Sequence, residues 1–256
     1  MSTHEAKPDA QTEAILRQKS VLLVGLGGLG CPAALALGRS GVGRLVLCDD
    51  DRVELSNLPR QILYQQADVG QDKLLAAQRA LQSEGAPQVE LARSRFRPES
   101  AARLLEGIDV VVEGADNFAT KFLAADACYL ARIPVVHGAA IRYVGTALLS
   151  RGAGAPCYRC LFEDVPPQAA GQSCDEAGVL GAVTGIVGAL MADLAVDAAL
   201  GKMDRSGSVF TLDGKAQRLR KVSVGARSGC HLCGKAPHRA PIRDLSSSNY
   251  WGAEAN

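Results

Sequence analysis

Four cysteines fall in two Cys-x-x-Cys steps, Cys157 with Cys160 and Cys230 with Cys233. Together they supply four thiolates, the tetrahedral sulfur set of a closed structural zinc site with no position left for a substrate. Turn residues flank both steps: Ala155-Pro156 before the first, Gly229 and Gly234 around the second. Such flanks suit a metal knuckle rather than a buried helix. One pair alone could equally be a redox couple; two in one chain favour a metal that ties the end of the chain to its middle.

A second group can handle phosphate. Gly25-Leu26-Gly27-Gly28-Leu29-Gly30 follows the apolar run Val21–Val24 and precedes Pro32-Ala33-Ala34-Leu35. This is the strand, glycine turn and helix in which the glycines let the backbone approach a phosphate at a helix N-terminus. A second apolar run, Leu45–Cys48, ends in Asp49. That carboxylate stands about 20 residues past the last glycine, the spacing of a ribose ligand. The set points to an adenine nucleotide without saying which one.

Beyond Asp49 lies a polar segment, Ser56-Asn57-Leu58-Pro59-Arg60, with Lys73 further on. A dehydrogenase has no need of it, whereas a guanidinium there can grip triphosphate oxygens with paired hydrogen bonds. Asp116-Asn117 follows the run Val110–Glu113, at a strand end where a carboxylate can hold Mg²⁺ against phosphates. The alternative makes Arg60 and Lys73 solvated charges and Asp116 a helix N-cap.

These residues need a scaffold, and the pattern supplies one. Strands are expected over Val21–Val24, Leu45–Cys48, Val89–Ala92, Val110–Glu113 and Val135–His137. Helices are expected over Cys31–Arg39, Asp72–Gln82, Glu99–Leu105 and Ala119–Ala131. The alternation predicts an α/β fold: a Rossmann-like, mostly parallel sheet with helices on both faces, plus a C-terminal extension tied by the four-cysteine zinc site. Further strands are expected at Thr146–Ser150, Ser208–Leu212 and Leu219–Val224, with a long helix near Leu180–Leu200. The chain divides into a flexible segment (1–12), a nucleotide-binding region (13–150), a zinc region of the same domain (151–235) with a mobile loop at 163–176, and a flexible tail (236–256).

Composition narrows the function classes. The net charge is +1, with both signs interspersed, so neither a nucleic-acid footprint nor a polybasic membrane patch is present. The uncharged stretch Ala177–Ala192 is short for a bilayer span and is closed by Asp193 and Asp197, which reads as a buried helix. Eight cysteines behind a polar N-terminus point to a reducing cytoplasm. Cys31, Cys48 and Cys128 fall in helix or strand patterns and read as core. His137, at an expected strand end, either lines the site or is structural.

From Leu16 to Gly234 the chain resembles the MoeB/ThiF/HesA group of ubiquitin-activating-like adenylyltransferases. The matching segments are VLLVGLGGLGCPAAL, GVGRLVLCDDDRVELSNLPRQIL, VGQDK, Asp116-Asn117, HGAAIR, PCYRCL, SCDEAGVLG and GCHLCG. HGAAIR and VGQDK lean toward the molybdopterin-synthase branch over the thiamine branch. The resemblance implies ATP, Mg²⁺ and a small ubiquitin-like sulfur-carrier protein whose C-terminal Gly-Gly carboxylate attacks the α-phosphate. It implies that region 151–235 receives the carrier, that a sulfur donor protein serves the product, and that the chain is a homodimer. Carried over residue by residue, Gly28 and its neighbours approach the phosphates and Asp49 holds the ribose. Asn57, Arg60 and Lys73 bind phosphates, and Asp116 binds Mg²⁺. Cys174, before the long helix, matches a thiol that in some members links to the activated carrier. An inert thiol is the alternative.

Three departures stand out. No RYxRQ-type arm precedes the loop, and Arg17 stands too close to it to match, which leaves Arg60 and Lys73 as the expected positive charges. Pro59 replaces the family's glutamine, and no rhodanese-type segment follows Gly234. The same chemistry on a specialised-pathway peptide, a NAD-dependent oxidoreductase, and a non-catalytic carrier-binding scaffold remain as alternatives.

Overall fold

The computed structural model describes residues 9–83, 88–166, 177–234, 242–245 and 250–251. Its centre is an eight-stranded sheet of β1 (Ser20–Val24), β2 (Arg44–Asp49), β3 (Gln88–Arg93), β4 (Val110–Glu113), β5 (Val135–Ile141), β6 (Val144–Ser150), β7 (Ser208–Asp213) and β8 (Arg218–Ser223). The order across the sheet is β3-β2-β1-β4-β5-β6-β7-β8. The first five strands are parallel, and β6 to β8 continue antiparallel.

The inner parallel strands β1, β2 and β4 carry unbroken apolar runs because both of their faces are covered, whereas the edge strand β3 mixes Gln88, Glu90 and Arg93 among its apolar residues. Val21 and Leu23 of β1 join one core, and Leu22 and Val24 join the other. The first core lies under α1 (Ala10–Leu16), α2 (Gly30–Arg39), α3 (Lys73–Ser83) and α7 (Gly181–Ala199). The second lies under α4 (Pro98–Leu104) and α5 (Phe118–Leu130), joined by Tyr158 of the short α6 (Tyr158–Leu161). β8 is exposed along its whole length, and Arg218, Arg220 and Lys221 blunt that open edge.

From β1 the chain builds β2 and β3 to one side, then crosses to β4 on the other. The carboxyl ends of β1 and β4 therefore diverge at a switch point, where open α/β sheets bind ligands. α7 passes the length and apolarity test for a membrane span. Here it is a core helix, with Val183, Val187, Met191 and Ala195 buried against the sheet. Gly188 brings it against α2: a Cβ there would lie 2.6 Å from the Leu29 carbonyl oxygen.

Three expectations are corrected. β5 runs on to Ile141 and turns into β6 as a hairpin, so His137 sits in mid-strand. Residues 10–12, expected to be flexible, open α1 under an N-cap in which Asp9 accepts from the Thr12 amide at 2.8 Å. Residues 250 and 251, expected in a free tail, pack against the second core.

Candidate functional site

A cavity of about 650 Å³ opens at the switch point, walled by the glycine loop, the ends of β2 and β4, and the β5–β6 hairpin. Gly25 leaves β1 at φ 87°, a conformation other residues resist. Gly25, Gly27 and Gly28 line the cavity, whereas Gly30 does not. A side chain on Gly30 would overlap the Gly25 carbonyl, so glycine is required there for the loop to close on itself. Leu29 caps α2 without a side-chain acceptor; the Cys31 amide donates to the Gly27 carbonyl at 3.0 Å, and Pro32 carries no N–H.

Asp49 is fixed from two sides. Its carboxylate accepts from the Leu26 amide at 2.6 Å and the Asp51 amide at 2.8 Å. Burial pushes this carboxyl up, against the pull of nearby Lys73. Lys73 is 6% exposed, lines the cavity, and pairs with Asp51 at 3.1 Å. A buried ammonium needs anionic partners, and the open side of this one faces the cavity.

Between them, a 3-10 turn (Leu55–Asn57) presents the Ser-Asn-x-x-Arg segment. Asn57 accepts from the Glu54 amide at 3.3 Å, and Arg60 donates to the Ser56 carbonyl at 2.9 Å. Asn57 and Arg60 line the cavity. Ser56 lies outside the lining; its hydroxyl donates to Glu54 at 3.2 Å and its carbonyl braces Arg60.

At the end of β4, Asn117 and not Asp116 caps α5, accepting from the Thr120 amide at 2.8 Å. Asp116 is exposed at the cavity wall and makes no hydrogen bond or ion pair with a described residue. Asn117 also borders the cavity, with its side-chain oxygen committed to the cap.

Below this rim the sequence reading missed a buried hub. Glu113, fully buried, takes Lys121 Nζ at 3.1 Å and the Ala115 amide at 2.7 Å. His137 Nδ1 lies 3.2 Å from the same carboxylate. Burial pushes the His137 imidazole down, against the pull of Glu113. His137 is therefore a buried support stacked on Tyr158, 4.3 Å between ring centroids, and it does not line the site. The hub fixes the turn that carries Asp116. Lys121, Arg52 and Arg95 also line the cavity, so its positive charge exceeds the expected Arg60 and Lys73. Arg17 is exposed and pairs with Glu13 at 3.6 Å, away from that lining.

The sulfur atoms of Cys157, Cys160, Cys230 and Cys233 all lie within 4.8 Å of one another. Two of the separations are 3.6 Å and 3.4 Å. An ion about 2.3 Å from each of four tetrahedral sulfurs sets them roughly 3.8 Å apart, so this cage could hold a metal. Contrary to expectation, the first pair encloses a helical turn: Cys157 caps α6 and Cys160 rides on it. Cys31, Cys48 and Cys128 are buried, and burial pushes the Cys31 and Cys48 thiols up to about 12, so they are inert core. Cys174 and most of the expected loop lie outside the described residues.

Sheet order and the glycine turn at the switch point define a doubly wound, Rossmann-like α/β fold. The chain belongs to the ThiF family, whose model matches residues 4–232. It is 40% identical over 237 residues to an Anopheles gambiae protein named adenylyltransferase and sulfurtransferase MOCS3, a match covering 91% of this chain and 54% of that one. The chain thus spans about half the length of such relatives. It is 39% identical over 239 residues to the sulfur carrier protein adenylyltransferase of Thermus thermophilus, covering 91% of this chain and 88% of that one. Among solved structures, E. coli MccB with AMPCPP and MccA superposes with TM-score 0.76 at 20% identity, over 88% of this chain and 69% of that one. PaaA gives 0.70 at 23%, over 83% and 66%. Both share the fold.

Proposed function

We propose that this protein is an ATP-dependent adenylyltransferase. It activates the C-terminal Gly-Gly carboxylate of a small ubiquitin-like sulfur carrier as an acyl-adenylate, for sulfur transfer in molybdopterin or thiamine biosynthesis. The observation that carries this reading is the convergence of Gly27, Gly28, Asp49, Asn57, Arg60, Lys73 and Asp116 on one cavity. The names of the relatives point the same way.

In this reading Asp49 receives the ribose hydroxyls, the glycine loop takes the phosphates, and Asn57, Arg60 and Lys73 grip their oxygens. Asp116 has a carboxylate unclaimed by the described residues and would hold Mg²⁺, which when bound neutralises phosphate charge. The carrier carboxylate attacks the α-phosphorus in line, the bond to the bridging oxygen breaks, and pyrophosphate leaves. The nucleophile is already ionised, so no general base is needed. Catalysis comes from alignment and from cations placed where charge develops. Cys174 is the proposed thiol that accepts the acyl group from the adenylate, releasing AMP. The four cysteines are proposed to hold one structural zinc, within a reducing cytoplasm.

Calorimetry should show ATP binding and no NAD binding; the reverse would leave an oxidoreductase. Exchange of labelled pyrophosphate into ATP should require a purified Gly-Gly carrier. Tight carrier binding without exchange would leave a scaffold.

The chain is further proposed to pair as a homodimer. The face of α7 toward α2 is used within the chain. Ile186 is exposed and apolar, as are Leu180 just before the helix and Tyr143 and Val144, which follow the Arg142 that bonds the Leu180 amide. Light scattering should report twice the chain mass of 26.8 kDa. A single-chain mass at micromolar concentration would reject pairing.

A further inference from the structure

The C-terminal segment returns to the nucleotide cavity. Tyr250 is 3% exposed, and its hydroxyl donates to Asp126 Oδ2 at 2.7 Å, across 124 residues of sequence. The same fully buried carboxylate receives the guanidinium of Arg159 through two bonds of 2.7 Å. Arg159 stands between Cys157 and Cys160, so the anchor is built on the cysteine clasp. A carboxylate this deep is tolerated because the guanidinium fork and the phenol engage both oxygens. The next residue, Trp251, lines the cavity. Its ring lies 5.9 Å from Tyr250 and 5.7 Å from the Arg97 guanidinium, measured to the centroid.

The position of Trp251 says what it would meet. Arg93, at the end of β3, is in register with Asp49, and Ser94 and Phe96 carry the cavity wall onward from there. Phe96 and Trp251 belong to the core under α4 and α5, whereas α3, which carries Lys73, packs on the opposite face of the sheet. A nucleotide with its ribose on Asp49 and its phosphates toward the glycine loop and Lys73 directs its base to the aromatic side.

We propose that Trp251 is a base-binding residue whose indole walls the adenine end of the cavity, and that Tyr250 is the positioning residue that holds it there. The inference rests on the nucleotide reading above and adds the source of base affinity: an aromatic face for the purine π system, steadied by Arg97. Such a wall accepts any purine, so guanine should be discriminated by groups other than Trp251.

Trp251 is the chain's single tryptophan, so emission of the full-length protein excited at the red edge, where its tyrosines do not absorb, reports on this residue alone. Titration with ATP or AMP should change its emission, whereas pyrophosphate, bound by calorimetry, should leave it unchanged. W251A should weaken ATP binding roughly 10-fold or more. W251F should retain most of the affinity, because the aromatic face remains. Y250F should shift the free protein's emission toward the solvent-exposed value and raise the ATP KM, with kcat held within about twofold. ATP binding by calorimetry with unchanged emission, or unaltered affinity in W251A, would overturn the assignment while sparing the nucleotide reading. Absence of ATP binding by the wild type would remove both. Unchanged emission and KM in Y250F would overturn the anchoring role.

Discussion

Replacing Arg60 or Asp116 by alanine is expected to slow carrier adenylation by about 100-fold or more while leaving the fold intact. Both residues line one cavity, and neither is buried in the core. Arg60 is braced by the Ser56 carbonyl at 2.9 Å, which holds its guanidinium at the cavity wall and lowers the entropy cost of gripping phosphate. Asp116 sits on a turn fixed by Glu113 and by the Asn117 cap. Removing Arg60 takes a positive charge from the transferring phosphoryl group as negative charge develops there, and removing Asp116 takes away the carboxylate proposed to hold Mg²⁺ beside it. Lys73→Ala differs in kind, because it also deletes a buried side chain, leaving its exposed partner Asp51 to water, and should cost stability through lost packing as well. Pyrophosphate exchange beside a thermal melt checks all three. Near wild-type exchange in R60A or D116A would remove that residue from the proposed site.

The second large effect is expected at the clasp. Serine in place of any one of Cys157, Cys160, Cys230 or Cys233 should lower zinc content and thermal stability together. Binding free energy at a four-thiolate site is folding free energy, with apparent values of about 10–16 kcal/mol in small zinc modules. That rivals the whole stability of an ordinary domain, about 5–15 kcal/mol. Cys157 and Cys230 share a small core with Leu232 and Ile242, separate from the two main ones, so the clasp is the main hold on the residues around the second cysteine pair. Through Arg159 the loss should reach Tyr250 and the cavity. Elemental analysis of freshly purified, reduced protein that finds no metal would contradict the proposal.

The parallel half of the sheet was legible because burial on both faces leaves unbroken runs such as Val21–Val24 and Val110–Val112, set off by glycine, aspartate or asparagine. The glycine loop, Asp49 and the cysteine pairs were legible because their spacing is local. What sequence could not supply was long-range pairing. Whether Asp116 or Asn117 caps α5 depends on one turn of backbone. The run Val135–His137 continues as Gly138-Ala139-Ala140, whose weak strand propensity hid the hairpin and left His137 looking like a strand end. Lys121 reads as a surface charge on a helix until Glu113 meets it. Tyr250 and Trp251 stand in a polar, serine-rich stretch that reads as a tail, and only Asp126, 124 residues away, gives them a place.

The most direct measurement of the central claim is the intact mass of a Gly-Gly carrier after incubation with the protein, ATP and Mg²⁺, with the labile product trapped cold. The account predicts a carrier heavier by one AMP moiety, formed with release of one pyrophosphate. The gain should be absent when the terminal glycine is deleted, when ATP is omitted, or when R60A replaces the wild type. A carrier of unchanged mass in the presence of bound ATP, across the Gly-Gly carriers of both pathways, would contradict it.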